Sequence, residues 1–348
     1  MYILGIESSC DETAAAIVER SGNHRVIDEQ IKSQIPLHAK YGGIVPEIAS
    51  RDHYEVIDHL TSTALKKSGL TVHHLDLIAF TQGPGLMGSL LIGLSFAKAL
   101  AYANKIPLVA VDHILAHIES AFIDHPDIEY PLLALVISGG HTTLFYQPSK
   151  FDTVILSKTR DDAVGEVLDK VAKFFGLGYP GGPILDQLQK DGDRTRFNFT
   201  FPKMSDGSDD FSFSGYKTAA IRHPDVIPGQ IDTQDPLFKD FIASFLNSII
   251  DYLLSKTRIA AETLAPKSLI IAGGVSRNAL LREKFADAFD GSPVKLYLTA
   301  PRYCTDNASM IAWLGYERYK HFPNINYFDY RLNSYSRAFF KTAGSKYR

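Results

Sequence analysis

His113 and His117 stand four positions apart in the run His113-Ile114-Leu115-Ala116-His117, which has helical character. Both imidazoles therefore project from one helical face. Two imidazoles at this spacing suit a borderline metal such as iron or zinc; the plainer reading is a pair of core or surface histidines. A metalloprotease helix needs a general-base glutamate directly after the first histidine. Ile114 stands there, so that chemistry is excluded. Asp306, in Cys304-Thr305-Asp306-Asn307, offers a third ligand at the start of an expected helix. Aspartate is a favoured helix N-cap, and a capping carboxylate keeps lone pairs for a metal. Two histidines and one aspartate would leave positions open for a substrate oxygen.

A second group of candidates lies on glycine turns. Ser138-Gly139-Gly140-His141-Thr142 reads as a tight turn between strands. Such a turn lets backbone N–H groups approach a phosphate closely, or it is an ordinary hairpin turn. His141 is a possible proton acceptor near neutral pH. The matching loop in the first half is 7–13, where Asp11 could orient a phosphate-bound cation or a reacting group, or be a solvated turn carboxylate. Gly273-Gly274-Val275-Ser276-Arg277-Asn278 follows a strand and opens a helix, which places backbone donors and a positive dipole end where a nucleotide can sit. It matches neither the Walker A nor the Rossmann spacing. Gly83-Pro84-Gly85-Leu86-Met87-Gly88 precedes an apolar helix and reads as a packing segment. Asp169 and Asp186 flank the turn Tyr179-Pro180-Gly181-Gly182-Pro183 and are ribose-hydroxyl partners or surface acids.

These residues need a scaffold. An apolar run at 2–6, a polar loop and a second apolar run at 13–18 predict a β-hairpin, and 132–137 with 142–146 repeats the plan. Two similar hairpins predict a duplicated domain. Strands are expected at 76–80, 107–111 and 268–272, and helices at 86–103, 112–122, 161–175, 244–264, 278–289 and 305–319. This alternation predicts an α/β fold with mixed sheets. The boundary between halves is expected at 125–130, and 194–214 as a long ordered loop.

Composition sets limits. The 348 residues are 45% hydrophobic and 22% charged, with a net charge of -3. That is globular composition, and any RNA-binding surface must be local or lent by a partner. Cys10 and Cys304 form no disulfide framework or zinc-ribbon pair and read as buried, inert thiols. No signal peptide is evident, and the apolar stretch 86–103 contains Lys98 and scattered Gly and Ser. It reads as a buried helix, so a cytoplasmic protein without membrane attachment is expected.

Taken in order, 5–13 (GIESSCDET), 41–53 (YGGIVPEIASRDH), 82–88 (QGPGLMG), 113–117 (HILAH), 138–142 (SGGHT), 161–170 (DDAVGEVLDK), 179–183 (YPGGP), 211–218 (FSFSGYKT), 273–278 (GGVSRN) and 304–307 (CTDN) resemble one family nearly end to end. It is the universal tRNA threonylcarbamoyltransferase family, and the histidine of SGGHT points to its bacterial TsaD branch. The resemblance implies the duplicated fold of actin, hexokinase and Hsp70, with two RNase H-like halves around a central nucleotide cleft. The expected division is 1–128 and 129–306 for the halves, 307–330 for a helix returning to the first half, and 331–348 for a basic tail.

The resemblance further implies that threonylcarbamoyl is transferred from threonylcarbamoyl-AMP to N6 of adenosine 37, next to the anticodon, in tRNAs reading codons that begin with adenine. It implies iron, with zinc as the alternative, on His113, His117 and Asp306. It implies adenylate contacts by Val136, Ile137, Ser138, Gly139, Gly140, Asp169, Gly182, Asp186 and Asn278, with ATP or ADP as other occupants. Asp11 and His141 match residues that act near the transferred group. Implied partners are tRNA, the inactive paralogue TsaB as a heterodimer, and the small ATPase TsaE. A sugar or acetate kinase of the same superfamily is the competing reading, and it leaves the two histidines and Asp306 unexplained. A non-catalytic scaffold of the paralogue kind would lack these three residues.

Two departures stand out. Tyr216 replaces the usual Leu, which predicts a packing change. The tail from 331 carries Arg331, Arg337, Lys341, Lys346 and Arg348 among Tyr335, Phe339, Phe340 and Tyr347. It is expected to be frayed and solvated, the alternative being contact with RNA.

Overall fold

The computed structural model describes residues 1–20, 24–202, 204, 206–226, 232–337 and 340–343. The chain divides into two units. The first is Met1–Pro126 with Thr305–Phe339, and the second is Asp127–Cys304 with Phe340–Arg348. Asp306 thus falls with the first unit, not with the second as expected.

In the first unit, β1 (Tyr2–Glu7), β2 (Glu12–Glu19), β3 (Arg25–Ser33), β4 (Leu77–Gly83) and β5 (Leu108–Asp112) form one sheet in the order β3-β2-β1-β4-β5. β1 to β3 are an antiparallel meander, and β4 and β5 join in parallel. β1 is buried from Ile3 onward because both sheet faces are covered. Leu4, Ile6, Ala15, Ile17, Ile78 and Phe80 pack against Ile57 and Ala64 of helix Pro46–Lys67 and Leu94 and Ala97 of helix Met87–Asn104. On the opposite face small residues admit helix Ala308–His321 unusually close. A Cβ on Gly5 would lie 2.1 Å from Ala308 O, and one on Gly315 would lie 2.3 Å from Ala79 Cβ.

The second unit repeats the plan. β6 (Leu132–Ile137), β7 (Thr142–Ser149), β8 (Asp152–Lys158), β9 (Ser268–Ala272), β10 (Lys295–Leu298) and β11 (Lys341–Thr342) run in the order β10-β9-β6-β7-β8-β11. Again an antiparallel meander, β6 to β8, carries two parallel strands beyond its first member. The duplication expected from the two hairpins is present in the strand order of both sheets. Helix Val164–Phe174 and helix Pro236–Leu264 supply much of the core, with Phe199, Phe211, Phe213, Phe241 and Phe245 buried around the latter. Each such ring contributes roughly 1.5–3 kcal/mol relative to exposure. The described residues of the expected loop at 194–214 are therefore anchored through Phe199, Phe211 and Phe213. Tyr216 is 2% exposed and packs beside Phe213 and Tyr252.

Several boundaries differ from expectation for local reasons. Helix Pro236–Leu264 starts earlier than 244 because Asp235 caps the Leu237 amide and Pro236 fits the first turn. The helix expected from 161 starts at Val164 because Asp161 accepts the Phe213 amide and the hydroxyls of Ser212 and Ser214 instead. β3, β8 and helix Pro46–Lys67 were not expected at all.

The frayed tail is corrected for the described residues beyond 330. Lys98 Nζ donates to Leu332 O, and Gln82 Nε2 donates to Asn333 O at 2.7 Å. Tyr335 N donates to Gln82 O at 3.2 Å, and its backbone crosses Gly83 where a Cβ would meet Tyr335 O at 2.0 Å. In the second unit Lys341–Thr342 pairs with β8, and Phe340 packs edge-on against Phe145. Phe339, Lys346, Tyr347 and Arg348 lie outside the described residues. Among the described residues no helix is long and apolar enough to cross a membrane.

Candidate metal centre and nucleotide turns

Helix His113–Glu119 continues directly from β5, and the Asp112 carboxylate caps it through the amides of Ile114 and Leu115. The cap fixes where both histidines point. His117 Nε2 lies 3.0 Å from Asp306 Oδ1, and His113 Nε2 lies 3.4 Å from the same oxygen. The expected N-cap role of Asp306 is corrected. Asn307 caps helix Ala308–His321, accepting the Met310 amide at 2.9 Å. Asp306 stands just outside the helix, with its carboxylate turned to the histidines.

The ligand atoms of His113, His117 and Asp306 lie within 4.8 Å of one another. The donor set fits a borderline transition metal. Its electrostatics fit a cation too. Burial alone would depress the His113 imidazole, but Asp306 and Glu7 outweigh it and push it well above its usual range. Burial alone would raise Asp306, yet the two histidines hold it well below the ordinary carboxylate range. The pocket thus favours positive charge at the point where the three side chains meet.

Sequence reasoning missed Glu7 as part of this centre. The residue ends β1, is fully buried, and places Oε2 3.1 Å from His113 Nδ1. Its only sequence signal is a carboxylate at the end of an unbroken apolar strand. His53, on helix Pro46–Lys67, was also missed. Burial holds its imidazole below the usual range, and the side chain ties down the loop between β1 and β2. Nε2 donates to Cys10 O at 3.0 Å, and Nδ1 accepts from Thr13 Oγ1 at 2.6 Å. Asp11 lies in that loop, where its carbonyl accepts the Gln34 amide, and burial raises its carboxyl. Cys10, partly buried, and Cys304, buried, are both free, and burial pushes both thiols up.

The remaining candidates meet within the second unit. Val136 and Ile137 are buried in β6 and end at the turn Ser138-Gly139-Gly140-His141. Ser138 N donates to His141 O at 2.8 Å, and His141 N donates to Ser138 Oγ at 3.1 Å. Helix Val164–Phe174 starts against this turn, since a Cβ on Gly165 would lie 2.7 Å from Ser138 O. Gly273, with φ 90°, packs on the end of β6 within 2.4 Å of Ile137 O by the same measure. Asp169 accepts the Gly181 amide at 2.7 Å, which brings Gly182 and helix Gly181–Leu188 alongside. Asp186 Oδ1 accepts from Asn278 Nδ2 at 2.8 Å, while Asn278 Oδ1 caps the Leu281 amide at 2.9 Å. The turns at 138–141, 179–183 and 273–278 are thereby linked into one constellation. Of the two catalytic candidates, Asp11 belongs to the first unit and His141 to the second.

Known proteins bear on this arrangement. A sequence model of the family described as TsaD, tRNA N6-adenosine threonylcarbamoyltransferase, matches residues 25–313. A protein of that description from Caldicellulosiruptor bescii is 45% identical over 318 residues, covering 91% of this chain and 92% of its own. One from Thermodesulfovibrio yellowstonii is 46% identical over 323 residues, covering 92% and 95%. Among solved structures, HypF from T. kodakarensis superposes with a TM-score of 0.62 at 14% identity, over 92% of this chain and 48% of that one. Component A of the (R)-2-hydroxyglutaryl-CoA dehydratase of Acidaminococcus fermentans gives 0.53 at 14%, over 91% and 98%. These structural likenesses concern the fold alone, which is the duplicated actin-like α/β fold. With a family match over most of its length and relatives this similar, the chain belongs to the tRNA N6-adenosine threonylcarbamoyltransferase family.

Proposed function

We propose that this chain transfers threonylcarbamoyl from threonylcarbamoyl-AMP to N6 of adenosine 37 in tRNAs that read codons beginning with adenine. The observation that carries the reading is the meeting of two imidazole nitrogens at one oxygen of Asp306, in a chain of this family. His113, His117 and Asp306 would hold a divalent metal, iron first and zinc second. When bound, that ion supplies Lewis-acid polarisation of a substrate oxygen.

The chain's own residues do the rest. Val136, Ile137, Ser138, Gly139 and Gly140 present backbone to the adenylate, and Asp169, Gly182, Asp186 and Asn278 hold its nucleoside. Amides of the glycine turns stabilise charge on phosphate and carbonyl. The adenosine amine attacks the carbamoyl carbon, a C–N bond forms, the C–O bond to phosphate breaks, and AMP leaves. His141 or Asp11 takes the proton from the amine. The amine is a weak nucleophile, so positioning must supply much of the acceleration. A phosphotransferase would call for magnesium and oxygen ligands, which two histidines do not support.

The proposed partners are tRNA, the paralogue TsaB and the ATPase TsaE, in the cytoplasm; their support is the family resemblance. The test is modified-nucleoside formation with tRNA, threonylcarbamoyl-AMP and both partner proteins, alongside elemental analysis of the purified chain. Wild type should carry near-stoichiometric iron or zinc and make product, and His113→Ala should lose both. Wild type free of transition metal would overturn the ligand assignment. Wild-type turnover in His141→Ala would remove His141 from the scheme.

A further inference from the structure

Glu7 has no exposed surface, and a buried carboxylate is costly unless paired and hydrogen-bonded. Each of its oxygens is committed. Oε1 accepts the Ser9 amide at 2.5 Å, and Oε2 accepts the Thr81 hydroxyl at 2.6 Å and faces His113 Nδ1 at 3.1 Å. Thr81 sits in β4, next to β1 in the sheet, so the carboxylate is held from the loop that follows its own strand and from the neighbouring strand. His113 Nδ1 also lies 3.3 Å from Ser9 Oγ. The opposite ring nitrogen, Nε2, is the one aimed at Asp306.

The two histidines are unequal in this respect. Among the described residues His117 Nδ1 is buried without a hydrogen-bond partner. A carboxylate on Nδ1–H selects the tautomer that leaves the Nε2 lone pair free, and it fixes the plane of the ring. We propose that Glu7 is a positioning residue of the candidate metal centre: held by Thr81 and the Ser9 amide, it locks the His113 ring and keeps its proton on Nδ1, so that Nε2 is presented to a divalent cation. Glu7 and Asp306 place two carboxylates beside the two imidazoles, a charge that would balance a bound dication. This inference rests on the metal reading of His113, His117 and Asp306.

The experiment titrates the chelator-treated full chain with Co2+, followed by its visible absorption, in wild type, His117→Ala, Glu7→Gln and Thr81→Val. Ring-nitrogen NMR of His113 is recorded on the same proteins loaded with Zn2+. Wild type should bind Co2+ and His117→Ala should fail to, which checks the metal reading by itself. Glu7→Gln should weaken Co2+ binding about 10- to 100-fold and shift the His113 Nδ1–H resonance. Thr81→Val, which frees Glu7 without touching a ligand, should weaken it roughly 3- to 10-fold. It decides the matter if Glu7→Gln does not fold. Wild-type Co2+ affinity in the position-7 and position-81 variants, with loss in His117→Ala, would overturn the role of Glu7 and leave the metal reading standing. A wild-type chain that takes up no Co2+ would overturn both.

Discussion

The phenol of Tyr335 donates to Asp112 Oδ2 at 2.6 Å, while Oδ1 of the same carboxylate accepts the amides of Ile114 and Leu115. Through Tyr335 the segment beyond 330 therefore reaches the cap of the helix that carries His113 and His117. Tyr335→Phe leaves a buried carboxylate oxygen without its donor, at an expected cost of about 1–3 kcal/mol. Asp112→Ala removes the cap as well and should cost about 0.5–2 kcal/mol more. A lower urea midpoint at unchanged slope would show this. An unchanged midpoint for Tyr335→Phe would mean that the contact contributes nothing.

Gly5 is a second point where packing reaches the centre. A methyl at this position would sit 2.1 Å from Ala308 O and 2.8 Å from Ala312 N, both backbone atoms of one helix. Gly5→Ala must therefore push the start of helix Ala308–His321 off the sheet, and Asp306 stands just before the Asn307 cap of that helix. The expected outcome is destabilisation by roughly 1–3 kcal/mol together with lower metal occupancy in elemental analysis. Lost stability with full occupancy would separate the packing from the centre.

What could be read from the sequence follows from where each signal lies. The pairing of His113 with His117 is local to one helical turn, so spacing alone exposes it. β1 and β6 are unbroken apolar runs because both their faces are buried, and such runs are conspicuous. β3 carries Arg25, Asp28, Glu29 and Lys32 and is partly exposed along its length, so it resembles a loop, while β8 offers only the short apolar run Val154–Leu156 between polar ends. Glu7 was missed because its partners are distant: Thr81 and His113 lie 74 and 106 positions away. Tyr335 is 223 positions from Asp112, and without that contact a basic, aromatic tail looks loose. Asp306 was picked out as a candidate ligand but given the wrong local role, because neighbouring Asn307 competes for the cap and takes it.

Tyr216 separates ring from hydroxyl. The side chain is almost wholly buried beside Phe213 and Tyr252, but its phenol reaches Ser248 O only at 3.3 Å. A bond that long is weak. Tyr216→Phe should therefore cost less than about 1 kcal/mol, while Tyr216→Ala should cost about 3–5 kcal/mol through the cavity it leaves. Denaturant midpoints distinguish the cases, and equal losses would show that the hydroxyl dominates.

Glu12 makes the metal-free chain sensitive to pH. Burial, with Asp11 and Asp306 adding to it, pushes its carboxyl up to about 10, and Ser33 Oγ donates to it at 3.2 Å. A folded-state value above the unfolded one means that the folded chain holds this proton more tightly. The stabilisation is fully present below the unfolded value and is lost as pH rises toward the folded one. Chelator-treated protein should therefore lose stability between about pH 5 and about pH 9 through this group. Glu12→Gln cannot ionise, so it should flatten that slope and favour the variant over wild type by about 1 kcal/mol or more at the alkaline end. The check is a set of denaturant midpoints for both proteins across this range. Parallel pH profiles would show that Glu12 ionises in the folded chain as freely as in the unfolded one, and that the negative charge of this loop is relieved elsewhere.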